Sequence, residues 1–218
     1  FTSGTTSKPK GVILTNESIK NNVLGIIKQL DFKSNDRTII YTPPNYAMGI
    51  SQIITFLYLK SSFLLDNQGI KFADDFLKKT KKYKISILNL NVASLKYLKI
   101  FKKNFRLPFL KIVMSGGMKM TKLDATEIFK FFKNKFIVNF YGCTENSPRV
   151  CHFKFTNNQL KKIINTEIIP VGKALRGTKI FIKKNKDNLP ENYGEINLCG
   201  NSLMRGYLDF KSKNKRIN

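Results

Sequence analysis

The chain opens on the string FTSGTTSKPKGV, Phe1 to Val12. The hydroxyls of Thr2, Ser3, Thr5 and Thr6 can donate to phosphate oxygens. Gly4 lets the backbone approach an anion closely, and Lys8 and Lys10 add positive charge. This composition suits a loop that wraps a polyphosphate. It is not the Gly-Lys-Ser/Thr loop of the common nucleoside triphosphatases, because Lys10 precedes Gly11 and Val12. On its own, the same string would serve equally well as a flexible linker.

A second cluster, YGCTE from Tyr141 to Glu145, directly follows the apolar run Phe136 to Phe140. A strand there would present these side chains at its C-terminal end, where ligand sites of open α/β sheets lie. Mg²⁺ commonly takes one or two carboxylates plus substrate phosphates. Glu145 offers one in a chain with 39 Lys and Arg against 14 Asp and Glu. The bland alternative is a turn with an exposed glutamate. The SGG turn at Ser115 to Gly117 closes a further apolar run, and Gly116 and Gly117 would let a flat ring lie against backbone; a simple strand-to-helix turn explains them equally well. His152 is read as structural or merely exposed, as a lone histidine more often is, and Cys143, with no neighbouring His or Asp to activate it, as a packed small residue.

These residues need a scaffold, and the apolar periodicity supplies one. Short apolar runs predict strands over Arg37 to Thr42, Ser62 to Leu65, Ile85 to Leu88, Leu110 to Ser115 and Phe136 to Tyr141. Three-to-four spacing predicts helices over Glu17 to Leu30, Ala47 to Leu59, Ala73 to Lys82, Val92 to Lys103 and Lys122 to Phe132. Alternation of the two predicts an α/β fold with a mostly parallel sheet covered by helices. Past Val150 the helical period fades, and short β-prone pieces at Lys179 to Lys183 and Glu195 to Leu198 point to a small β-rich subdomain. The expected division is an α/β core over 1–150, the β-rich part over 151–210 and a frayed basic tail over 211–218.

Taken together, the motifs resemble the adenylate-forming superfamily of acyl-CoA synthetases, luciferases and peptide-synthetase adenylation domains. The opening string resembles that family's (Y/F)TSG(S/T)TGxPKG signature, with Ser7 in place of a glycine. YTPPNYAMG, Tyr41 to Gly49, resembles its PxxHxxG segment, with Tyr46 where many members carry histidine. VGKALRGTKIFI and YGEINLCGNSLMRGYL resemble its Gly-rich turns and closing GY segment. The resemblance spans essentially the whole chain. It implies ATP-dependent activation of a carboxylic acid to acyl-AMP with release of pyrophosphate, then transfer to a thiol, either CoA or the phosphopantetheine of an acyl carrier protein.

Carried over residue by residue, it implies that Thr2, Ser3, Gly4, Thr5, Thr6, Lys8 and Lys10 hold the ATP phosphates. Tyr141 would stack on adenine beside Gly116, Gly117 and Gly142. Thr144 would contact the adenylate, Glu145 would help hold Mg²⁺, and Tyr46 and Met48 would border the acyl pocket. An N-terminal subdomain and a C-terminal lid with a catalytic lysine are expected outside this stretch, which starts within a motif and is read as a fragment. The reading from another class is a non-catalytic remnant that binds nucleotide or a partner.

The bulk numbers set outer limits. A chain of 218 residues that is 42% hydrophobic can bury a sizeable core, and no apolar run approaches the length of a membrane span. The formal charge of +25 raises the question of nucleic acid. Lysines are spread over every segment rather than gathered in one stripe, so no specific nucleic-acid partner is expected. Three cysteines without metal or disulfide spacing suggest a reducing, cytoplasmic setting.

Overall fold

The computed structural model describes residues 1–2, 9–99, 107–133, 135–164, 166–184 and 193–208. In chain order the elements are β1 (Gly11–Ile13), α1 (Asn16–Leu30), β2 (Thr38–Ile40), α2 (Ala47–Tyr58), β3 (Phe63–Leu65), α3 (Ala73–Lys82), β4 (Ile87–Asn89), α4 (Val92–Lys99), β5 (Ile112–Gly116), α5 (Lys122–Phe132) and β6 (Phe136–Gly142). They continue with β7 (Arg149–Phe155), α6 (Asn157–Lys161), β8 (Lys173–Ala174), β9 (Thr178–Lys183), β10 (Glu195–Gly200) and β11 (Gly206–Leu208). The tail over 211–218 and the end of the helix expected to reach Lys103 lie outside the described residues.

A seven-stranded sheet runs in the order β3-β2-β4-β5-β6-β7-β8. From β3 to β6 the pairs are parallel; β7 and β8 add antiparallel. Adjacent apolar residues explain why these strands read as continuous hydrophobic runs, because successive side chains on a strand face opposite sides. Leu88, Val113 and Ile137 join a core with Phe76, Leu95 and Phe129, beneath α3, α4 and α5. Their neighbours Ile87, Ile112 and Val138 join a second core with Ile26, Leu30 and Phe56, beneath α1 and α2. The sheet is thus covered by helices on both faces.

The central sheet runs past residue 150, where the sequence places the start of the β-rich part. β7 pairs with β6 from Ile137↔Phe155 to Gly142↔Arg149, and β8 pairs with β7. The separate β element is the hairpin of β9 with β10. β1 pairs with β11, joining the first described segment to the last.

Below β2 a buried carboxylate ties several segments together. Asp36 accepts from Ser86 Oγ at 2.8 Å, from Lys111 Nζ at 2.8 Å and from the Lys33 backbone N–H at 2.9 Å. Ser61 Oγ donates to the Asp36 carbonyl. Loss of an acceptor strands buried donors. Asp36→Ala is therefore expected to cost about 1–3 kcal/mol, read as a lowered denaturation midpoint with unchanged denaturant slope; an unshifted midpoint would show that these bonds are replaced by water at no cost.

Candidate functional site

The parallel strands reverse their order of addition between β2 and β4, since β3 lies outside β2 while β4, β5 and β6 follow on its other side. Crevices beyond the C-terminal ends of strands near such a reversal are the usual ligand sites of this architecture. Here those ends carry Tyr41, Asn89, Gly116 and Gly142.

The turn from β6 into β7 is the most constrained part of the site. At Tyr141/Gly142 the register shifts, so the ladder bulges just where the strand ends. Cys143 N–H donates to the Pro148 carbonyl at 2.9 Å. Asn22, buried on α1, donates through Nδ2 to the carbonyls of Asn146 at 2.9 Å and Arg149 at 2.7 Å. Ser147 Oγ donates to the Ser202 carbonyl at 2.7 Å. A helix, a turn and a distant loop thus fix residues 143–149 together.

Around this turn lie two concavities. One groove, of about 380 Å³, is lined by Gly117, Met120, Asn139, Tyr141, Gly142 and Ile169 among others. Tyr141 is 39% exposed there. Asn139 Nδ2 secures the opposite wall by donating to the carbonyls of Ile169 at 2.9 Å and Pro170 at 3.1 Å. Gly116 fits because an added Cβ would stand 2.2 Å from the Phe140 ring. Gly117 has φ +80 and open space around it. The second cavity, of about 240 Å³, is mostly apolar and takes in Tyr46, Met48, Asn89, Met114, Thr144 and Arg149. Gly117, Phe140 and Gly142 line both, so the two adjoin at the end of β6.

Glu145 lies in the same turn, on the side of the opening segment. Its Oε1 accepts from Tyr207 Oη at 2.9 Å, and its carbonyl accepts from Met204 N–H at 2.8 Å. Burial, then the Glu145 carboxylate, push the Tyr207 phenol up to about 12. Tyr207 sits on β11 opposite Val12. Lys10 Nζ lies 5.3 Å from its ring, and Thr2 N–H donates to the Lys10 carbonyl at 2.9 Å. The described ends of the opening string, Thr2 and Lys10, are thus joined to each other and stand beside Tyr207. Ser3, Gly4, Thr5, Thr6 and Lys8 lie outside the described residues.

No group of three or more metal-ligating side chains occurs among the described residues, which excludes an all-protein metal cage there. Tyr207 donates to Oε1, and the Cys143 thiol is a second hydrogen-bond partner of this carboxylate. A single carboxylate fits Mg²⁺ that takes its other ligands from phosphates and water.

Two residues of this region are held in their neutral forms. Burial, followed by the charges of Arg149 and Lys154, pushes His152 down to about 4. Its buried Nδ1 has no hydrogen-bond partner, and it lines neither cavity. The neutral imidazole is therefore the native form, and protonation favours the unfolded chain. Stability is expected to fall in wild type as pH drops from 6.5 through about 4, relative to a His152→Gln variant. Urea midpoints across that window check this; a constant difference would refute it. Burial likewise pushes the Cys143 thiol up to about 11, ahead of the Glu145 charge, so it stays protonated.

Arg149 was missed in the sequence. It is 6% exposed, and its guanidinium carbon lies 3.5 Å from the Phe140 ring centroid. Burial pushes it down to about 9, which leaves it cationic at neutral pH. The available signal was a lone arginine at the head of an otherwise strand-like stretch, four residues past Glu145.

Comparison with known proteins decides the family. The model of the AMP-binding family, described as AMP-binding enzyme, matches residues 1–208. The chain belongs to the AMP-binding enzymes. Among other AMP-binding enzymes it is similar to gramicidin S synthase 2 of Brevibacillus brevis, at 26% identity over 96% of this chain and 5% of that protein. It is also similar to the D-alanine–D-alanyl carrier protein ligase of Lactiplantibacillus plantarum, at 26% identity over 98% of this chain and 42% of that protein. The chain thus spans less than half the length of these relatives. Its fold matches that of the O-succinylbenzoate coenzyme A synthetase from Bacillus subtilis, solved with ATP and magnesium ion, with a TM-score of 0.79 at 22% identity, covering 97% of this chain and 42% of that one. The parallel sheet with its helices is therefore the N-terminal fold of an AMP-binding enzyme, in part. Among the described residues no helix is long and apolar enough to cross a membrane.

Proposed function

We propose that this chain holds the adenylation site of an acid-thiol ligase. A substrate carboxylate oxygen attacks the α-phosphorus of ATP, the bond to the bridging oxygen breaks, and pyrophosphate leaves with that electron pair. A thiol then attacks the acyl carbon, AMP departs, and the thiol proton is released to solvent. The thiol is that of CoA or of a carrier-protein phosphopantetheine; a carrier protein ligase and a coenzyme A synthetase both stand among the similar proteins.

The observation that carries this reading is the meeting of three features at the end of β6. A groove with Tyr141 and Gly117, a small cavity with Tyr46 and Met48, and the ends of a hydroxyl-rich loop all border residues 142–145. Adenine lies in the groove, stacked on Tyr141 against the backbone of Gly116, Gly117 and Gly142. The acid occupies the cavity, with Thr144 donating to the adenylate where the two adjoin. Thr2, Ser3, Gly4, Thr5, Thr6, Lys8 and Lys10 hold the phosphates, and Glu145 holds Mg²⁺, which neutralises phosphate charge when bound.

No general base is required, because a carboxylic acid is ionised at neutral pH. That agrees with a neutral His152 outside both cavities. Catalysis then rests on positioning and charge neutralisation. Three unpaired cysteines, Cys143, Cys151 and Cys199, support a cytoplasmic setting.

The test is acid-dependent exchange of labelled pyrophosphate into ATP by the full-length protein, screened over short, aromatic, amino and long-chain acids at fixed Mg²⁺. Exchange with one class is expected. Normal ATP binding without exchange for any acid would instead favour a non-catalytic remnant.

A further inference from the structure

The small cavity contains a charge that the reaction itself does not need. Arg149 lines it and is 6% exposed, yet one terminal nitrogen of its guanidinium, Nη1, has no hydrogen-bond partner among the described residues. No described carboxylate forms an ion pair with it. Its backbone is fully engaged, with N–H donating to Asn22 Oδ1 at 3.3 Å and its carbonyl accepting from Asn22 and Asn146. These bonds hold the Arg149 backbone in the turn, next to the cavity wall. The guanidinium packs on the Phe140 ring, whose negative face offsets part of the charge. Buried charges are otherwise paired, since an unpaired one is costly.

A second unmet donor belongs to another residue of the same wall. Asn89, at the end of β4, is also 6% exposed, lines the cavity, and has a buried Nδ2 without a partner. Arg149 is the only charged residue among those lining the cavity. Among the described residues the walls thus include a cationic side chain and an amide, each with an unmet donor, and no anion.

We propose that this cavity selects a carboxylic acid bearing a second carboxylate, which Arg149 and the Asn89 amide bind while the first carboxylate is activated. The inference rests on reading the cavity as the acid pocket. A guanidinium paired with the reacting carboxylate would hold the charge of the nucleophile and blunt its attack. A second carboxylate takes that pairing without touching the reaction. Planar guanidinium and carboxylate match in a two-bond geometry, and the amide donor fills a further lone pair. Amino acids are disfavoured, because their ammonium would enter a cavity with a cation and no anion. A volume of about 240 Å³ lies below the usual range of drug-sized sites, so the diacid is small.

The test compares glutarate with valerate, its monoacid of equal chain length, and with alanine, in pyrophosphate exchange by the full-length protein. Glutarate is expected to exceed valerate in kcat/KM by about 100-fold, the loss typical when a buried charge pair is broken. Arg149→Met, which replaces the charge by an apolar chain of similar length, should collapse the glutarate-to-valerate ratio by about 100-fold. Arg149→Lys should retain an intermediate ratio. Preference for valerate or alanine in the wild type, or an unchanged ratio in Arg149→Met, would overturn the proposal. Should no acid support exchange, the ligase reading fails, and calorimetric titration of glutarate decides the pocket separately. Saturable binding removed by Arg149→Met would uphold it; no binding would overturn it.

Discussion

Glu145→Gln in the full-length protein is expected to lower pyrophosphate exchange by about 100- to 1,000-fold, the range seen when one group that stabilises developing charge is removed. The substitution keeps shape and keeps an oxygen for Tyr207, whose hydroxyl donates to Glu145 Oε1 at 2.9 Å. It removes only the negative charge that would bind Mg²⁺. Thermal stability should fall by only about 1 kcal/mol, the difference between a charged and a neutral acceptor for the Tyr207 hydroxyl, while the Mg²⁺ concentration needed for half-maximal rate rises. Tyr207→Phe separates the two roles. It removes that hydrogen bond but leaves the carboxylate its charge, and should reduce exchange far less than Glu145→Gln does. Equal losses in both variants, or a Glu145→Gln enzyme of normal rate, would assign Glu145 to holding the turn.

Gly142→Ala is expected to be the most damaging single methyl group in the site. Its Cβ would stand 2.2 Å from the Pro148 carbonyl oxygen. That oxygen is already bound by Cys143 N–H at 2.9 Å, and Asn22 pins the residues on both sides. Backbone cannot yield as a side-chain tip can, so the cost falls at or above the upper end of the about 1–3 kcal/mol typical of overpacking. Gly117→Ala is the control, because nothing lies within 4 Å of its Cβ and only the φ of +80 opposes it. Left-handed backbone costs a non-glycine residue about 1–2 kcal/mol. Denaturation midpoints should rank wild type, Gly117→Ala, then Gly142→Ala, and ATP affinity should fall most in the last. Equal midpoints for the two variants would show that the β6–β7 turn moves freely.

The parallel core was legible because its elements have strong local signals. The helices over Ala73–Lys82 and Lys122–Phe132 coincide with their three-to-four apolar spacing. Paired apolar residues such as Ile87 with Leu88 and Ile137 with Val138 supply both faces of the sheet, so each strand reads as buried whichever way it turns. β7 was hidden for the opposite reason. Its RVCHFKF sequence places Arg149, His152 and Lys154 within a central-sheet strand, where charge ordinarily signals a surface. β1 and β11 have three residues each and pair across most of the chain; such pairing has no local sequence signature.

The site divides along the same line. YGCTE and SGG stand at strand ends, and their position follows from the apolar runs before them. Asn89 and Arg149 stand in the cavity only because β4 and β7 bring them there from distant positions. Tyr207 beside Glu145 depends on the β1–β11 pair. A motif announces itself in sequence, whereas an unsatisfied buried donor exists only once the core has closed around it.

The most direct measurement follows the substrate oxygen. The full-length protein is supplied with ATP, Mg²⁺, an accepted acid labelled with heavy oxygen in its carboxylate, and hydroxylamine as acyl acceptor; the AMP formed is then weighed by mass spectrometry. Attack of the carboxylate on the α-phosphorus predicts AMP carrying one heavy oxygen. Unlabelled AMP, or label found instead in inorganic phosphate with release of ADP, would contradict adenylation as the reaction of this site.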